Sequence, residues 1–405
     1  MSLHLPAETI ESHGCVIVLR RVEGPLATEL FFLCQPATES SDAGVQAEAA
    51  YRAVLGVLDG VGAGFDAIVC EKIFLGSVRD HLEPVRQARG RVLAASDSRA
   101  HRPATTEIEQ PPLKEGACLE IALQAVLPSA TPVRVDSVDA RPACACSECA
   151  RSHGLRVCIG EETRFEAGGL YGQGRDAYEQ TLAMFEAADD LLHRAGMDFH
   201  DVARTWIHLG EMERDYADLN RARREFFASR GIVPAPASTG IGGGPVPGNH
   251  DLCLGLYAVQ AARPPERTVM TTPTLNEARV YGADFVRGMK MVEANKIALH
   301  VSGTASIDEA GESAHPGDLE AQVDRMLVNV ATLLEGQGAS FADAVSAVTY
   351  LKRPADAERL RAKLREAGFE GFPNVLVEAP ICRPELLCET EVLAVLPVSA
   401  PSAGA

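Results

Sequence analysis

Positive charge is scarce in this chain: 38 Lys and Arg stand against 56 Asp and Glu over 405 residues, a formal net charge of -18. Nucleic-acid backbones and anionic membranes select basic surfaces, so neither is expected as a partner. A small anion stays compatible if a few arginines are concentrated locally. Long apolar runs are missing too. No stretch approaches the roughly 18 apolar residues of a membrane span. The start, Met1-Ser-Leu-His-Leu-Pro-Ala-Glu8, lacks the basic residues and long apolar region of a secretory signal. A disulfide framework is not indicated either, because the eleven cysteines are odd in number and scattered through apolar strands. Tryptophan occurs once, at Trp206, where a core position is the simpler reading. A cytoplasmic enzyme without a cofactor is the expectation.

What is present is repetition. Ile381-Cys-Arg-Pro-Glu-Leu-Leu-Cys-Glu389 leads into Glu391 and Val392 to Val395, a strand by its alternation. A carboxylate on a largely apolar strand is costly unless paired or functional. The pattern occurs earlier as Cys118-Leu-Glu120-Ile and, more weakly, as Cys253-Leu-Gly-Leu. A second motif recurs upstream of each: small turn residues, a phenylalanine, then a strand, as in Gly64-Phe-Asp66, Met197-Asp-Phe199 and Ala339-Ser-Phe341. Helical spacing of apolar residues predicts helices over 46–58, 77–89, 176–195, 216–230, 319–337 and 355–367. Asp318 is a natural N-cap for the fifth of these. The order reads ββαβαββ with the helices on one face of each sheet. This is an α+β chain of three related units, each of ordinary domain size. The expected division is 1–130, a linker at 131–154, 155–270 and 271–400.

Two stretches interrupt the pattern. Pro236-Ala-Ser-Thr-Gly-Ile-Gly-Gly-Gly244 reads as a glycine-rich loop where a strand belongs. No helix is expected to follow it, which excludes a phosphate-binding P-loop or dinucleotide fingerprint. The linker carries Cys144-Ala-Cys-Ser-Glu-Cys149 with His153 four positions on. The bland reading is a set of reduced thiols. Cys144, Cys146, Cys149 and His153 as ligands of a soft metal are the alternative.

The three units resemble the Rid (YjgF-type) fold, a chorismate-mutase-like mixed sheet with two helices on one face. The third unit carries the resemblance most fully, through Ser302-Gly-Thr-Ala-Ser306, Gly338-Ala-Ser-Phe-Ala-Asp343 and Glu389-Thr-Glu391. The second and third together resemble the chorismatases through Ala203-Arg-Thr-Trp206, Ala237-Ser-Thr-Gly-Ile-Gly242, His315-Pro-Gly-Asp318 and the stretch ending at Glu389. The resemblance implies a trimer or an intrachain pseudo-trimer with ligand clefts between neighbouring units. It also implies release of pyruvate from chorismate to give a dihydroxycyclohexadiene carboxylate or a hydroxybenzoate. Imine-deaminating Rid proteins carry an arginine shortly after a Phe-Pro pair, and Phe372-Pro-Asn-Val375 has none. The first unit departs from a two-module chorismatase and reads as structural.

For that chemistry the resemblance implies Glu389 as catalytic acid. Arginines suit carboxylates because their planar fork meets both oxygens, which makes Arg383, Arg287 and Arg204 candidate substrate ligands. Tyr350 at its strand end and the backbone at Gly303 and Thr304 complete the candidate site. Glu120, at the place equivalent to Glu389, reads as structural. The alternatives are a Rid-like enzyme acting on another small carboxylate (an enamine, imine or enol ether) and a non-catalytic binder of small ligands.

Overall fold

The computed structural model describes residues 6–96, 100–142, 144–245 and 250–398, with the side chains of 280 and 281 left aside. The first unit runs β1 (Glu8–Ser12), β2 (Cys15–Glu23), β3 (Ala27–Pro36), α1 (Ala43–Gly60), β4 (Ile68–Leu75), α2 (Val78–Ala94), β5 (Ala104–Glu109) and β6 (Leu119–Pro128). The second runs β7 (Val133–Asp139), β8 (His153–Ile159), β9 (Glu162–Leu170), α3 (Ala177–Arg194), β10 (Val202–Leu209), α4 (Met212–Arg230), β11 (Ala237–Gly242), β12 (Gly244–Pro245) and β13 (Leu252–Ala261). The third runs β14 (Glu266–Val269), β15 (Gly288–Val292), β16 (Ile297–Ala305), α5 (Leu319–Glu335), β17 (Ala344–Leu351), α6 (Ala357–Glu366), β18 (Asn374–Glu378) and β19 (Cys388–Leu396).

Each unit builds one mixed sheet, and the three strand orders are the same. They are β1-β2-β3-β6-β4-β5, β7-β8-β9-β13-β10-β11 and β14-β15-β16-β19-β17-β18, and β12 of the second unit adds a seventh strand to the first sheet by pairing antiparallel with β5. In each, the last strand inserts antiparallel between the third and fourth, while the fourth and fifth run parallel across a helix. The α+β class and the three modules expected from the sequence are therefore both present.

The recurrent phenylalanine motif has a local cause. Phe65, Phe199 and Phe341 each open a one-turn 3-10 helix that feeds the fourth strand. Asp198 and Ser340 close capping boxes with Asp201 and Asp343. Asp42, Ser77, Asp176 and Asp318 cap α1, α2, α3 and α5 through their side chains. The helices then bury their apolar stripes on one sheet face, as Phe185 does against Phe199 and Phe226 at 5.8 and 5.2 Å between ring centroids.

Two expectations need correction. The Gly-rich stretch is a strand: β11 pairs in parallel with β10, from Ala237 opposite Arg204 to Gly242 opposite Leu209. Its small residues serve close approach, since a methyl group at Gly242 would fall 2.6 Å from Pro380. The stretch 131–154 contains β7, which pairs with β8 along its whole length and forms the edge of the second sheet. Likewise β14, inside 155–270, pairs with β15 of the third sheet.

The modules close a ring in which each fifth strand meets the next module. Gly168 of β9 lies so near β5 that a methyl group there would fall 2.7 Å from the Thr105 carbonyl. The Ser238 amide of β11 donates to Ser302 Oγ of β16 at 2.9 Å. The Leu113 amide, just before β6, donates to the Leu376 carbonyl of β18 at 2.8 Å. Away from these seams, Arg164 joins all three modules through Glu162 at 2.8 Å, Glu29 at 2.8 Å and Glu293 at 3.0 Å. Lys296 adds a second cation on Glu29. Within the ring lies a cavity lined from every module, by Phe31, Lys72, Glu166, Trp206, Lys296 and Leu393 among others.

Candidate active site

The geometry of the ring gives three equivalent positions. Glu389 of β19 stands opposite Tyr350 of β17, Glu120 of β6 opposite Phe74 of β4, and Cys253 of β13 opposite His208 of β10. These are the same place in three modules with different chemistry.

At the third place a cleft opens between modules two and three. Glu389, Gly303, Arg287 and Arg383 line it from module three, and Arg223, Tyr216 and Ser238 from module two. Glu389 is 4% exposed. Burial, and then the Glu391 charge, push its carboxyl up to about 8, against the pull of Arg287 and Arg204. It is therefore an acid still carrying its proton near neutral pH. Gly303 makes the space for it, because a methyl group there would fall 2.1 Å from Glu389 Oε1. The Gly303 amide donates to Thr239 Oγ1 at 2.9 Å, which fixes that backbone against β11.

Glu391, two residues on, has the opposite character. Burial opposes its ionisation, but Lys72 and Arg204 outweigh burial and lower its pKa. Arg204 Nη2 lies 2.9 Å from Glu391 Oε2, and Trp206 Nε1 donates to Oε1 at 2.8 Å. Lys72 of module one reaches the same carboxylate at 3.7 Å and sits 3.8 Å from the centroid of the Trp206 ring. Two carboxylates on one strand are thus driven to different protonation states by their surroundings.

The structure brings Glu389, Gly303, Arg287 and Arg383 into one cleft wall. Arg287 is buried, its Nε donating to the Asn276 carbonyl at 2.8 Å, and Arg383 Nη1 reaches Ser313 Oγ at 3.3 Å. Arg204 instead faces the central cavity on Glu391. Tyr350 is buried in the apolar core, its hydroxyl beside Glu391, and burial pushes its phenol up. Thr304 turns its hydroxyl back to the Ser302 carbonyl at 2.9 Å. Glu120 is pushed up to about 7 by burial while Gln35 Nε2 donates to it at 2.8 Å.

Arg223, like Tyr216 and Ser238, is a cleft residue that sequence reasoning missed. It is 2% exposed and lies over the Phe285 ring at 5.3 Å. The signal was there, since Leu219, Arg223 and Phe226 follow helical spacing and place an arginine inside an apolar stripe. His153 is also misplaced by the sequence reading. Its ring nitrogens lie 3.0 Å from the carbonyl oxygens of Arg102, Pro103 and Arg151, away from the cysteine cluster.

No family model matches the chain. A 3-hydroxybenzoate synthase of Streptomyces hygroscopicus is 29% identical over 304 residues, which is 67% of this chain and 84% of that protein. The crystal structure of a chorismatase superposes with a TM-score of 0.58 and 16% identity, over 81% of this chain and 93% of that one. A match over 81% of the chain is longer than 155–270 and 271–400 together, so it extends toward the first module as well. The YjgF gene product of E. coli, at 22% identity and a TM-score of 0.26, covers 32% of this chain and 97% of its own. The chain has three modules of one topology in the fold of the chorismatase structure, and in sequence it resembles the 3-hydroxybenzoate synthase.

Proposed function

We propose that the protein is a chorismatase-like enzyme that releases pyruvate from chorismate in the cleft at Glu389. The observation that carries this reading is a buried acid with a pKa of about 8 in a cleft lined by Arg223, Arg287 and Arg383. Chorismate presents two carboxylates and an enol ether. Arginines supply charge and bidentate hydrogen bonds for the carboxylates. Glu389, neutral when substrate enters, adds no opposing charge. Similarity to a 3-hydroxybenzoate synthase supports the same substrate class.

In this mechanism the Glu389 proton passes to the terminal methylene of the enol ether, leaving the adjacent carbon cationic and Glu389 ionised. Water adds to that carbon, its proton returns to a base, and the hemiketal collapses to pyruvate and a dihydroxycyclohexadiene carboxylate. Loss of one water from the ring product would give a hydroxybenzoate. General acid catalysis of this kind contributes roughly 10²- to 10⁴-fold. Glu391, held ionised by Lys72 and Arg204, keeps the Glu389 pKa high and is a positioning residue.

The test is incubation with chorismate in deuterated water, with products separated by chromatography. Pyruvate carrying one deuterium in its methyl group supports proton delivery to the methylene, and the second product names the subtype. Absence of pyruvate contradicts the proposal and favours another small carboxylate as ligand.

A further inference from the structure

The cysteine cluster lies outside the cleft, and its fourth member comes from a distant part of the chain. Cys144, Cys146 and Cys149 occupy the turn between β7 and β8, while His250 immediately precedes β13. Cys144 Sγ lies 3.4 Å from Cys149 Sγ. His250 Nε2 lies 3.9 Å from Cys144 Sγ, 3.4 Å from Cys146 Sγ and 3.5 Å from Cys149 Sγ. The four donor atoms all fall within 4.8 Å of one another. A tetrahedral zinc ion with bonds of about 2.3 Å to sulfur and about 2.0 Å to nitrogen sets edges of roughly 3.5 to 3.8 Å. The observed separations span that range.

The surroundings match a ligand shell as well. His250 Nδ1 is 3.0 Å from the Gly172 carbonyl, which fixes the ring with Nε2 turned to the sulfurs. Gly172 must be glycine to offer that carbonyl, since a methyl group there would fall 1.9 Å from the Gln180 carbonyl. Tyr171 stacks on the imidazole at 4.9 Å between centroids. The amides of Cys146 and Cys149 point at the sulfurs of Cys144 and Cys146, at 3.4 and 3.3 Å, where they would stabilise thiolate charge.

We propose that Cys144, Cys146, Cys149 and His250 bind one zinc ion, and that the ion is a structural fastener of the seam between modules one and two. Three thiolates and an imidazole select a borderline-soft divalent cation and leave no open coordination position for catalysis. The link to the seam is Glu148, carried on the same turn. Its carboxylate takes Arg86 of α2 in a fork at 3.1 and 2.6 Å, and Arg86 Nε also holds Glu107 of β5 at 2.8 Å. With the turn tied to His250 through the ion, Glu148 is held where Arg86 can reach it.

The full-length protein, incubated with equimolar zinc and passed through gel filtration, is expected to retain one zinc per chain by elemental analysis. Cys146→Ser and His250→Ala are expected to retain much less. Cobalt loaded in place of zinc is expected to give the intense visible bands and thiolate charge-transfer absorption of a tetrahedral site. This measurement needs only the wild-type chain, so it stands if a variant fails to fold. Stripping the metal with a chelator is expected to lower the thermal midpoint. Metal content no higher than in the variants, no thiolate–cobalt band, or a Cys144–Cys149 disulfide by mass spectrometry in place of bound metal would each overturn the proposal.

Discussion

Glu389 and Glu391 lie two residues apart on one strand and are held in opposite protonation states, the first neutral in its cleft and the second ionised between Lys72 and Arg204. Burial raises both pKa values; Lys72 and Arg204 then lower that of Glu391, whose charge in turn raises that of Glu389. Those on Glu391 are supplied by modules one and two. The electrostatics of one strand of module three are therefore tuned by side chains from the other two modules.

The pH dependence follows from that pair. Glu389 is protonated below about 8, so pyruvate release should fall as pH rises through that value. Glu391→Gln removes a negative charge that raises the Glu389 pKa, so the falling limb should move to lower pH. A pH–rate profile of both proteins checks this. An unmoved limb would show that Glu391 does not act through Glu389.

Gly303→Ala places a methyl group 2.1 Å from Glu389 Oε1. The carboxyl must rotate by an ångström or more, and a displacement of that size costs about 10²-fold in rate. The variant should fold with an unchanged circular dichroism spectrum while kcat falls by about that factor. Wild-type kcat would mean that the carboxyl position is not critical.

Arg164 is the cation shared by one buried carboxylate from each module. Its side chain is 3% exposed and faces Glu29, Glu162 and Glu293, all buried. Arg164→Ala leaves these carboxylates short of a cation, a loss worth about 3 to 5 kcal/mol. The thermal midpoint should fall well below wild type, and Glu29→Gln in the same chain should recover part of the loss. A midpoint within a degree of wild type would show that the network does not hold the modules together.

Much of this was legible in the chain. Periodicity, with the Asp318 cap for the fifth, located the six α-helices of the described residues, and the repeated Phe turn disclosed three modules because each copy performs the same local task. Glu389, Arg287, Arg383 and Gly303, singled out from the sequence, line one cleft in the structure. What escaped was set by tertiary approach. The glycines of β11 look like a loop in isolation, and only the proximity of Pro380 makes them a strand's requirement. Val133 and Val135 alternate with Arg134 and Asp136, yet the polar linker around them hid the strand. His250 lies 101 residues beyond Cys149, and no local spacing announces a partner at that distance.

The most direct measurement compares pyruvate release from chorismate by wild type and by Glu389→Gln at pH 7. The amide fills the same volume without an acidic proton, so the fold should survive. The account predicts steady pyruvate release by the wild type and a loss of about 10²- to 10⁴-fold in the variant. Release at the same rate from both would contradict Glu389 as the acid, and release from neither would contradict the chorismatase reading itself.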